Sequence, residues 1–170
     1  GVPGFSFIIC RTDKLKESQG KARSLSLDLY DQWKTMDKDG KWRFTSPTHV
    51  VLAFAQALRE MEEEGGIPAR AKRYQENNRL LIEKMGEMGI RPYIGSEHQG
   101  PIITTFFYPE HHNFSFQEMY QYIKDRGYAI YPGKVTDADT FRIGNIGEIY
   151  REDIENLCSI IREFLEETKE

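Results

Sequence analysis

Apolar positions along the chain are patterned in two different ways. Phe5-Ser6-Phe7-Ile8-Ile9-Cys10 is apolar at five of six positions, the signature of a β-strand covered on both faces. Such a strand must pair its backbone groups with neighbours, yet no comparably strong strand follows before Ile102. The expectation is that 170 residues are not the whole protein. Arg11 to Gly20 is polar and charged. Lys21 to Trp33 alternates weakly through Leu25, Leu27 and Leu29, which suits either a short strand or an extended segment leading into a helix over Leu29 to Met36. Asp37-Lys38-Asp39-Gly40 reads as a turn, and Trp42 to Pro47 as a loop or short extended piece. Val50, Phe54, Leu58 and Met61 then recur at spacings of four, four and three, predicting an amphipathic helix that starts near Pro47 or Thr48 and stops at Gly65-Gly66. A second helix is expected from about Pro68 to about Gly89, with Tyr74, Leu81, Met85 and Met88 as its apolar set. The two helices are expected to form a stalk.

Beyond Ile90 the pattern is that of a compact mixed lobe. Ile102 to Tyr108 is β-branched and aromatic, hence a strand. Ser115-Phe116-Gln117-Glu118 is a capping box opening a helix over Ser115 to Arg126, closed by Gly127. Tyr128 to Tyr131 and Thr140 to Ile143 are two more short strands. A last helix, Arg151 to about Glu167, carries Ile154, Leu157, Cys158, Ile161, Phe164 and Leu165 on one face. This β-α-β-β-α order predicts a small α+β lobe, an antiparallel sheet with helices on one face. The domain boundary is placed between residues 66 and 67, giving 1–66 as one unit and 67–170 as the other.

Composition narrows the function. The chain is 39% hydrophobic and 29% charged, with 27 acidic against 23 basic residues, which is ordinary globular usage. It lacks the concentrated positive charge that phosphate-backbone binding draws on, so nucleic acid is not the expected partner. The two cysteines, Cys10 and Cys158, form no CxxC or Cys/His cluster; no disulfide framework and no metal site is expected, and a reducing, cytoplasmic setting fits. No apolar run approaches the roughly 20 residues that span a bilayer.

Several stretches have residue types suited to chemistry. In Thr140-Phe141-Arg142-Ile143-Gly144 alternation turns Phe141 and Ile143 to one face and Arg142 to the other. Arg142 there either presents a rigid fork to a carboxylate or phosphonate or is an edge-strand arginine in water. Trp42-Arg43-Phe44-Thr45-Ser46-Pro47-Thr48-His49 places three hydroxyls ahead of a helix N-terminus. The place suits an anion, phosphate above all, or else Ser46 or Thr48 serves only as an N-cap. His111-His112 lacks a third ligand and reads as solvated histidines rather than a metal site. Tyr131-Pro132-Gly133-Lys134 matches no phosphate-binding loop, and Gly144-Asn145-Ile146-Gly147 is no dinucleotide fingerprint.

Gly1 to Phe5, the block Arg23-Ser24-Leu25-Ser26-Leu27-Asp28-Leu29-Tyr30-Asp31-Gln32-Trp33, Lys41 to His49, Tyr131 to Val135 and Phe141 to Glu148 together resemble the 2-aminoethylphosphonate:pyruvate transaminase family. This is a group of the class V aminotransferases, which share the type I fold of pyridoxal-phosphate enzymes. The resemblance covers essentially the whole chain. It implies an α/β fold class overall, with the chain as the C-terminal portion of that fold: residues 1–66 a remnant of the large pyridoxal-phosphate-binding domain, 67–170 the small domain. It implies that the Schiff-base lysine lies upstream of Gly1, that no catalytic residue lies in this chain, and that the chain alone is inactive; Lys134 belongs to another motif and does not replace that lysine. By position, Arg142 matches the arginine that binds the substrate's anionic group. Thr45 matches the residue that reaches the cofactor phosphate of the neighbouring subunit, implying a homodimer, and Trp42 lies where related enzymes often have a tyrosine near that phosphate. The implied cofactor is pyridoxal 5'-phosphate and the implied substrates are 2-aminoethylphosphonate and pyruvate, with neither nucleic acid nor membrane as partner. The alternatives are another class V enzyme, of the alanine:glyoxylate or serine:pyruvate type, and a non-enzymatic α+β module that holds a small anion on Arg142.

Overall fold

A computed structural model of the chain describes residues 4–110, 114–133 and 137–168. The chain divides into two compact units, one ending at Glu63 and one starting at Glu64. His111, His112 and Lys134 lie outside the described residues.

The first unit is helical. It contains α1 (Thr12–Glu17), α2 (Leu29–Asp39) and α3 (Thr48–Glu63). α1 lies in the polar run after Arg11, where apolar spacing predicts no element; Asp13 in its first turn and Lys14 and Lys16 in its last interact favourably with the helix dipole, and Lys14 pairs with Glu17 at 2.8 Å. α2 begins at the N-cap Asp28, whose carboxylate accepts the Asp31 N–H at 3.1 Å. It runs through the segment expected to turn and ends only at Gly40, whose φ of 73° closes the helix at low steric cost. The predicted strand over Phe5 to Cys10 is not formed. Six apolar-rich residues suffice for a strand only if another strand pairs with them, and the described part of this unit holds only helices. Instead the start of the segment rests on α3: Gly4 packs against Val50, and the rings of Phe5 and Phe7 stand 5.4 and 6.3 Å from that of Phe54.

The second unit starts with α4 (Gly66–Glu87), entered through Gly65 and Gly66 at φ of 109° and 77°. There follow β1 (Ile103–Phe107), α5 (Phe116–Asp125), β2 (Tyr131–Pro132), β3 (Thr140–Gly144) and α6 (Arg151–Glu167). The order β-α-β-β-α and the antiparallel pairing are as read from the sequence, with β3 central between β1 and β2. Ser115 caps α5 by accepting the Glu118 N–H at 3.3 Å. The strand expected over Tyr128 to Tyr131 shrinks to Tyr131–Pro132, because Tyr128 still donates to the Ile123 carbonyl at the end of α5. Thr104 and Phe106 of β1 pair with Ile143 and Phe141 of β3, and all four point into the core. α6 packs on α4 and α5, enclosing Leu81, Met85, Met119, Ile123, Ile154 and Ile161. Every buried side chain among the described residues belongs to this unit. No described helix is long and apolar enough to cross a membrane.

Candidate functional site

Arg142 sits at the middle of β3, on the sheet face opposite the core. It is half-buried and lies on the central strand, so it is not an edge-strand arginine. Its direct cross-strand neighbours are Thr105 on β1 and Tyr131 on β2. Residues directly opposite one another share a face, so Thr105, Arg142 and Tyr131 form one row across the sheet. Nε of Arg142 donates to the Pro132 carbonyl at 3.1 Å. Among the described residues no carboxylate lies within 4.0 Å of its guanidinium, whereas Arg11, Arg43, Arg70, Arg73, Arg91, Arg151 and Arg162 each have one. A guanidinium has five N–H donors. With Nε engaged, the four on the two Nη atoms remain to grip an anion in a bidentate fork.

The strand that carries Arg142 is fixed by a residue the sequence did not single out. Asn145, fully buried just past β3, donates through Nδ2 to the carbonyls of Tyr74 in α4 and Pro101 before β1, at 3.2 and 2.8 Å. Its backbone N–H donates to Ile102 at 3.0 Å. One side chain thus ties the end of β3 to both flanking elements. Beside it, Arg73 is held by Glu64 at 2.6 Å and donates to the Gly147 and Ile149 carbonyls at 2.9 and 2.8 Å, and Asn77 donates to Ile149 at 2.8 Å. The Arg73 and Arg70 guanidinium groups hold the Glu64 carboxyl down to about 2. Gly133, at the end of β2, donates to the Thr140 carbonyl at 2.8 Å; a Cβ there would fall on the Thr140 hydroxyl and carbonyl, so only glycine lets the two strands approach this closely.

Trp42 and Thr45 belong to the first unit, in the segment entering α3. Trp42 is half-buried and Thr45 exposed. The segment is anchored by Arg43, which donates to the Leu25 carbonyl at 2.6 Å and pairs with Asp31 of α2 at 3.3 Å. That role had no signal in the sequence beyond a charged residue between two aromatic ones. The Ser46 and Thr48 hydroxyls bond each other at 2.8 Å, so the expected capping of the helix by either is not the bond they make. The ladder of α3 starts with the Val51 N–H to the Pro47 carbonyl at 3.1 Å, leaving the N–H groups of Thr48, His49 and Val50 without an intrahelical acceptor. Exposed hydroxyls beside free N–H groups at the positive end of a 16-residue helix suit a phosphate.

Comparison with known proteins agrees with the resemblance. No family model matches the chain. It is 57% identical over 165 residues to the 2-aminoethylphosphonate–pyruvate transaminase of Lysinibacillus sphaericus, a match covering 97% of this chain and 45% of that protein. It is also 57% identical over 162 residues to the enzyme of that name from Bacillus cereus, covering 95% of this chain and 44% of that one. The chain thus spans less than half the length of these relatives. Among solved structures it superposes on an aspartate aminotransferase from Thermus thermophilus with a TM-score of 0.67 at 26% identity, over 86% of this chain and 40% of that one. Ureidoglycine–glyoxylate aminotransferase from Bacillus subtilis gives 0.73 at 18% identity, over 93% and 41%, a likeness of fold alone. In fold this chain corresponds to part of an aminotransferase, and in sequence it is similar, over nearly its whole length, to the 2-aminoethylphosphonate–pyruvate transaminases.

Proposed function

We propose that the chain is the C-terminal segment of a pyridoxal-phosphate-dependent, homodimeric transaminase that moves the amino group of 2-aminoethylphosphonate to pyruvate, giving phosphonoacetaldehyde and L-alanine. The observation that carries this reading is Arg142, a guanidinium tethered through Nε and without a carboxylate partner among the described residues. One substrate ends in a phosphonate and the other in a carboxylate, and both use the same site in turn. A single arginine fork can receive either anion.

The cofactor, when bound, supplies the electron sink for the amino transfer. This chain's residues would hold its phosphate: the Thr45 hydroxyl, with Trp42 beside it, at the start of α3, where free N–H groups favour negative charge. On this reading Thr45 serves the neighbouring subunit, residues 1–66 complete a larger domain and 67–170 form the small one, and the segment alone is inactive. The setting is cytoplasmic, where the free thiols of Cys10 and Cys158 persist.

The test is Arg142→Ala in the full-length enzyme. Loss of a charge-assisted fork should raise KM for both 2-aminoethylphosphonate and pyruvate by about tenfold to a hundredfold. Near-normal kinetics with the phosphonate would refute the shared-fork role.

A further inference from the structure

We infer that Tyr131 is a specificity residue of this site, its hydroxyl donating to the phosphonate oxygen that the Arg142 fork leaves unserved. The inference rests on the reading of Arg142 just given.

A carboxylate presents two oxygens in a plane, which a bidentate guanidinium matches completely. A phosphonate presents three oxygens in a tetrahedral arrangement, so two parallel N–H···O bonds leave the third without a donor. A site that takes both anions with one arginine therefore needs one more donor for the phosphonate alone.

The sheet places that donor. Tyr131 is directly opposite Arg142 in the register of β2 and β3, so the two side chains leave the sheet on the same face. The lean of Arg142 selects the side. Because the Gly133 N–H points inward to the Thr140 carbonyl, alternation along the strand turns the backbone of Pro132 outward, to the far edge of β2. Nε of Arg142 bonds that outward carbonyl, so its side chain crosses β2 and its guanidinium lies over the Tyr131 side of the row. Thr105, on the opposite side, has only a short side chain close to the sheet. The Tyr131 ring carries its hydroxyl well clear of the backbone. Tyr131 is 59% exposed, and its hydroxyl makes no hydrogen bond among the described residues.

Tyr131→Phe in the full-length transaminase removes the hydroxyl and little else. The expected result is a rise of about tenfold to a hundredfold in KM for 2-aminoethylphosphonate, the usual effect of deleting a hydrogen bond to a charged group. KM for pyruvate should stay within about twofold, within ordinary context scatter. An unchanged phosphonate KM, or an equal rise for both substrates, overturns the assignment. Arg142→Ala run in parallel separates the two readings. If it leaves both KM values unchanged, the anion site itself is misplaced; if it raises both while Tyr131→Phe raises neither, only the tyrosine's role falls. As a second measurement, competitive inhibition by methylphosphonate is compared with that by acetate. The ratio of the two inhibition constants does not depend on how much enzyme is folded. It should shift about tenfold or more against methylphosphonate in Tyr131→Phe, and an unshifted ratio counts against the proposal.

Discussion

Helices α3 and α6 have the same amphipathic periodicity and different fates. In α6 the stripe Ile154, Leu157, Cys158, Ile161, Phe164, Leu165 is buried. In α3 no residue is buried, and Leu52, Phe54 and Leu58 remain 63%, 40% and 40% exposed. A period near 3.6 specifies that a helix forms and which face is apolar; it does not supply the layer that covers that face. α6 packs on α4 and α5 and shares one core with the sheet, whereas in the described part of the first unit α3 is touched by Gly4, Phe5 and Phe7 and is not covered by a comparable layer.

The largest effect expected from this contrast is at Phe141, whose fully buried ring stands 5.8 to 6.2 Å from those of Phe106, Phe116 and Tyr108. Phe141→Ala should cost about 3–5 kcal/mol, enough to unfold the second unit in denaturant titration. The matching change in the first unit, Leu52→Ser, should stay within about 0.5 kcal/mol; a comparable loss at both positions would erase the distinction.

Next is Asn145→Ala, which removes both bonds that its Nδ2 donates and leaves the Pro101 carbonyl without that partner; it should cost about 1–3 kcal/mol. Stability indistinguishable from that of the parent chain would show that these bonds do not hold β3 in place.

A smaller effect is expected at Glu64. Its carboxyl is held near 2 in the folded chain against an ordinary value of 4.5. Its contribution is therefore full above the unfolded value and is lost as pH falls from about 4.5 through about 2. Glu64→Gln should lower the melting temperature at neutral pH and flatten the acid decline across that window. An unchanged acid limb would mean that the Arg70 and Arg73 contacts add nothing.

What the sequence could disclose follows the same division. The bounds of α6, the cap at Ser115 and the outward turn of Arg142 were legible because each depends on local spacing and residue chemistry. The apolar run Phe5 to Cys10 has the pattern of a strand that does not form, because strand formation depends on a distant partner rather than on the run itself. Asn145 and Arg43 were invisible for a related reason. Their importance comes from carbonyls far along the chain, Tyr74, Pro101 and Leu25, and no motif announces an acceptor 71 residues away. The resemblance supplied roles for Arg142, Thr45 and Trp42, while the structure supplied the tether that orients Arg142.

Pro132 has a further consequence. An open sheet edge invites another strand to add to it, the first step toward aggregation. Residues 91–93 already occupy the outer side of β1, where Tyr93 bonds the Thr105 carbonyl and Phe107 bonds that of Arg91. On the opposite margin, Pro132 has no N–H to offer, and its carbonyl is taken by Arg142. Arg142 thus occupies that margin, so its loss would cost the lobe solubility.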